Sequence, residues 1–176
     1  MNKNLFKLNF TSSQNRILFI IFSAFSVLVM VLIFMFSAEN SVESSETSGS
    51  VIGLILNTFY EGYKEIPIIE QEEIISNYQN IVRTFAHGSI YFILGLFLAA
   101  AISQIEKIKT LKTVYISFSV SAVYSLSDEI HQYFVPGRAF QLSDIAVDCI
   151  GAVIGAIVAA FIMFFVKNRN RCCKKT

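Results

Sequence analysis

Between two long apolar runs lies the segment Ser127-Asp128-Glu129-Ile130-His131-Gln132-Tyr133-Phe134-Val135-Pro136-Gly137-Arg138. It combines two adjacent carboxylates, an imidazole and a guanidinium. That set suits either acid–base chemistry or the holding of an anion. In the first case Glu129 or Asp128 is the base, His87 or His131 is its acid/base partner, and Arg138 clamps the anion. Ionisable groups at the end of a membrane span are costly to keep there and by default mark a functional site.

Other residues share this chemistry at helical spacing. Arg83, His87 and Tyr91 follow one another at i, i+4 and share a face. Asp128, His131 and Gln132 stand at i, i+3 and i+4. Asp144 and Asp148 are one turn apart, and Gly151, Gly155 and Ala159 continue their stripe. Small residues four apart let helices approach closely, so this stripe faces into a bundle. Each residue also has a bland reading. Arg83 alone is a snorkelling interface residue, Asp144 a helix N-cap and Tyr91 a core aromatic. Asp128 and Arg138 alone are a pair that pins a turn, and Pro136-Gly137 is a turn by default. Asp148 lies deepest and is hardest to treat this way. The two histidines with Asp128, Glu129, Asp144 and Asp148 offer donors for a divalent ion. With no close His-x-x-x-His pair, no metal or other cofactor is expected.

The elements that must position these residues are membrane helices. Of 176 residues, 54% are hydrophobic and only 15% charged, against about 25% charged in soluble domains. A span needs about 20 apolar residues. The expected architecture is an all-α membrane protein, a four-helix bundle forming one domain over residues 1–176. Its spans run about 17–36, 87–105, 114–134 and 145–166, and their halves away from the charged groups read as apolar. Asn40 to Ser50 reads as a solvated loop, and residues 74–82 fit a short interfacial helix between spans one and two. Cys149 reads as a small core residue, and Cys172 and Cys173 as reduced thiols in a basic tail.

Charge orients the bundle. Lys3, Lys7 and Arg16 precede span one; Lys107, Lys109 and Lys112 separate spans two and three; Lys167, Arg169, Arg171, Lys174 and Lys175 follow span four. With four spans all three clusters fall on one side, which is cytoplasmic by the positive-inside rule. Both termini are then cytoplasmic, and Arg83, His87, Asp128, Glu129, His131, Gln132, Arg138, Asp144 and Asp148 gather on the extracytoplasmic side. The charge distribution does not fit a nucleic-acid partner, which requires a basic face.

The pattern resembles the VanZ-like family of small bacterial membrane proteins. The likeness rests on Arg83-x-x-x-His87 with Tyr91-x-x-Leu94-Gly95, on the Asp128-to-Arg138 run, and on Asp144 and Asp148 with Gly151 entering the last span. Phe36-Ser37-Ala38-Glu39-Asn40 followed by Glu43-Ser44-Ser45 resembles one subgroup's exit from the first span. Asp148 stands where many relatives carry Asn. The resemblance implies a multi-pass protein of the bacterial cytoplasmic membrane associated with teicoplanin resistance. Two functions are then expected as alternatives. One is an envelope factor whose cleft binds a membrane lipid, a lipid-linked cell-wall precursor or a lipoglycopeptide through Arg83, Arg138 and histidine. The other is a membrane enzyme acting on a lipid-linked substrate.

Overall fold

The computed structural model describes residues 13–106 and 108–173, with side chains to residue 166. The basic residues before position 13, Lys107 and those beyond 166, with Cys172 and Cys173, lie outside the described residues or side chains. Every regular element among the described residues is helical: α1 (Ser13–Ser37), α2 (Ser41–Phe59), a 3-10 turn (Tyr63–Glu65), α3 (Ile68–Ile102), α4 (Thr110–Tyr133) and α5 (Leu142–Cys173). Three of these are long and apolar enough to cross a membrane: α1, α3 and α5, the last over Leu142–Val166. Helices are the expected solution for such runs, because each backbone N–H and C=O is satisfied within its own segment. The chain is an all-α membrane protein.

The connection between the first two apolar helices differs from the sequence expectation. Asn40 to Ser50 is no loop. The Asn40 side chain accepts from the backbone N–H of Val42 and Glu43, and the Glu43 carboxylate accepts from the Asn40 N–H. This reciprocal capping box starts α2. The short helix expected over 74–82 is also not separate. It is the first part of α3, which runs unbroken for 35 residues, about 52 Å at 1.5 Å per residue. α2 folds back on this half of α3, where Gly49 packs beside Ile75 and Gln79 donates to the Ser45 carbonyl at 3.4 Å. Gln71 closes the turn by donating to the carbonyls of Ile66 and Tyr63.

α3 and α5 form the closest seam. A Cβ on Gly151 would collide with the Gly88 carbonyl, one on Gly155 with that of Phe92, and one on Gly95 with the backbone of Ala152. Only hydrogen at these positions allows the two backbones to touch. α1 lies on α3 through Phe25 stacked on Phe97 at 5.2 Å and through Val29 and Ile33 against Tyr91 and Leu94. The Tyr124 hydroxyl, donating to the Met30 carbonyl at 2.6 Å, ties α4 to α1.

α4 is turned inside out relative to a soluble helix. Its buried residues are all polar: Thr113, Ser117, Ser121, Ser125, Asp128, Glu129 and Gln132. Leu111, Tyr115, Val123 and Ile130 are exposed. The half of α4 away from the carboxylates is therefore not apolar within the bundle. Thr113 and Ser117 satisfy their hydroxyls on carbonyls four residues back.

Candidate functional site

Because α1 and α4 end, and α5 begins, at the same end of the bundle, the ionisable residues collect there. His87 is brought to that end by the α3–α5 seam, one residue before Gly88, while Asp148 is one turn before Gly151. Asp128 enters from α4. One donor atom each from His87, Asp128 and Asp148 lies within 4.8 Å of the others. Asp128 and Asp148 are buried, at 4% and 1% exposure. Ser125 donates to Asp148 Oδ2 at 2.8 Å, and Gln132 Nε2 donates to Asp128 Oδ2 at 3.3 Å. Asp148 Oδ1 and His87 Nδ1 are buried with no hydrogen-bond partner. The Tyr91 ring is completely buried beside this group. Its hydroxyl and the buried Ser37 hydroxyl have no hydrogen-bond partner.

His87 has a second neighbourhood. With Arg83 and Arg138 it lines a cavity of about 220 Å³, walled by Ile33 and Phe36 of α1 and covered by Ser44, Thr47 and Ser48 of α2. Arg138 reaches it from the turn between α4 and α5. Gly137 adopts φ +77°, and its Cα lies so close to Ser41 that a Cβ would overlap the hydroxyl. Any other residue would be strained there and would push the turn off α2. The guanidinium donates through Nη1 to Gln132 Oε1 at 3.2 Å and through Nη2 to the Phe36 carbonyl at 3.4 Å, while its Nε has no partner. Neither partner is an acid. Burial, and then the nearby Arg83, lower the affinity of Arg138 for its proton. A guanidinium stays charged regardless, so the two arginines outnumber Glu39, the carboxylate that also lines the cavity, and leave the recess net positive and suited to an anion.

The other expected site residues stand apart. Glu129 is buried, but its Oε2 accepts from the Gln141 backbone N–H at 2.9 Å, tying α4 to the start of α5. His131 stacks on Phe34 at 4.6 Å between ring centroids and is not one of the three residues whose donor atoms converge. Asp144 lies in the first turn of α5, where its Oδ1 accepts from Ser143 at 3.4 Å. Gln132 serves both centres, holding Asp128 with its amide nitrogen and Arg138 with its oxygen. Sequence reading missed Ser125, the residue that orients Asp148. The signal was present in Thr113, Ser117, Ser121 and Ser125, hydroxyls every fourth residue along one face of α4.

Fold and site together define a small helical membrane protein with a charged recess at one end of its bundle. The family model for VanZ/LLP1 matches residues 22–165, and the chain belongs to that family. No curated protein and no solved structure matches it significantly.

Proposed function

We propose that this VanZ-family protein is a four-span protein of the bacterial cytoplasmic membrane that binds an anionic group in its recess and thereby promotes resistance to teicoplanin-type glycopeptides. The observation that carries the reading is the pair Arg83 and Arg138 on one cavity, with the hydrogen bonds of Arg138 going only to neutral groups. A phosphate or carboxylate would take bidentate bonds from such guanidiniums. The group can belong to a membrane lipid, a lipid-linked wall precursor or the drug itself. The exposed Leu111, Tyr115, Val123 and Ile130 favour α4 as the fourth span, since an outward apolar face with an inward polar one suits lipid surroundings. With four spans the positive-inside rule puts both termini in the cytoplasm and the recess outside. Teicoplanin carries an acyl chain, which suits a site at the outer leaflet.

The alternative, acid–base catalysis on a lipid-linked substrate, is favoured by one observation: His87 joins the anion recess to two buried carboxylates. The test is the teicoplanin susceptibility of a sensitive host expressing the wild type or Arg83→Gln/Arg138→Gln at matched membrane levels. The wild type raises the inhibitory concentration and the double variant does not. Equal susceptibility of the wild type and the empty host refutes the resistance reading.

A further inference from the structure

We propose that His87, Asp128 and Asp148 bind a divalent transition-metal cation such as zinc or manganese. The three residues come from α3, α4 and α5, and their donor atoms already converge to within 4.8 Å. Ligands about 2.1 Å from a tetrahedral ion stand about 3.4 Å from one another, so closing onto a cation requires movements of about 1 Å. Side-chain torsions supply that without a change in the helices.

Three features point to a ligand rather than a packed polar core. First, Asp148 Oδ1 and His87 Nδ1 are buried and unpartnered, although buried polar atoms nearly always find a partner. Second, two buried carboxylates share one small space, and the groups that donate to them, Ser125 and Gln132, are neutral. A dication answers both charges at once. Third, Ser125 and Gln132 each hold one oxygen of a carboxylate and fix its orientation, the usual arrangement behind a metal ligand. The donor set selects the class of ion. An imidazole with two carboxylates suits zinc, manganese or ferrous iron, whereas calcium and magnesium favour oxygen-only shells. Three protein ligands leave a coordination position open, and His87 also lines the Arg83–Arg138 recess. The cation would thus stand beside the anion site. The inference does not depend on what that recess binds, and its test uses no anion and no drug.

The experiment uses full-length protein purified in detergent without a polyhistidine tag. It is stripped with chelator, incubated separately with Zn²⁺, Mn²⁺, Mg²⁺ and Ca²⁺, and desalted. Elemental analysis should find about one zinc or manganese per chain, with a higher melting temperature on loading. His87→Ala and Asp148→Asn should lose the metal and the thermal shift, and His131→Ala should keep both. X-ray absorption of the zinc-loaded wild type should show nitrogen and oxygen neighbours, and it needs no variant to fold. Metal well below stoichiometric in every case, unchanged metal in His87→Ala and Asp148→Asn, or a sulfur neighbour at the metal would each overturn the assignment.

Discussion

The α3–α5 seam sets His87 of the recess beside Asp148, so a minimal change there should be felt in both stability and binding. Gly151→Ala adds one methyl group where the Gly88 carbonyl now sits. Restoring ordinary contact, about 3.5 Å, requires the two backbones to part by more than about 1 Å. Overpacking of this kind costs about 1–3 kcal/mol. Replacing a helical glycine by alanine returns about 0.5–1 kcal/mol of backbone entropy, so at the middle of both ranges the net loss should be about 1 kcal/mol. Gly53→Ala in α2 is the control, because nothing lies within 4 Å of its added methyl. It should gain about 0.5–1 kcal/mol. The chain has no tryptophan, so equilibrium unfolding in mixed micelles is best followed by circular dichroism. Since Gly88 follows His87 and Gly151 lies three residues beyond Asp148, Gly151→Ala should also weaken ligand binding, which Gly53→Ala should not. Equal stability of Gly151→Ala and wild type, or equal destabilisation by the two substitutions, would refute the reasoning.

Other perturbations separate the parts of the structure. Ser125→Ala removes the donor to Asp148 at 2.8 Å and leaves a buried carboxylate with no hydrogen bond, so it should cost about 1–3 kcal/mol in the same unfolding assay. Asn40→Ala deletes the capping box and should destabilise α2 by about 1 kcal/mol, seen as faster amide exchange over residues 41–48 with α4 unaffected. In a Cys-free background, a cysteine at Thr47 should react with an impermeant maleimide added to intact cells; labelling only after lysis would contradict the proposed orientation.

Much of the fold could be read from the sequence because lipid-spanning helices announce themselves by length and apolarity, as α1 and α5 do. α2 was missed because its Ser/Glu composition resembles a loop, although Asn40-x-x-Glu43 is a start signal that needs no structure to see. α3 was cut short because Glu70, Glu72 and Glu73 break the apolar pattern without breaking the helix. At the site, spacing within one helix was informative: it put Arg83 with His87, and Asp148 above the glycines. Spacing could not decide between neighbours. Asp128 and Glu129 point about 100° apart on α4, and one turns to His87 while the other turns to the Gln141 N–H. His131 is one turn from Asp128 yet stacks on Phe34. Both outcomes depend on how α4 is rotated against α1 and α5, a tertiary quantity with no local signature.

Arg83 and Arg138 are proposed to form an anion site at the membrane surface. Native mass spectrometry of the wild type and of Arg83→Gln/Arg138→Gln, released from micelles containing equal phosphatidic acid and diacylglycerol, tests it directly. The wild type should retain the phosphate lipid over its neutral counterpart, and the double variant should lose this preference. Equal retention of the two lipids by the wild type, or an undiminished preference in the double variant, would contradict it.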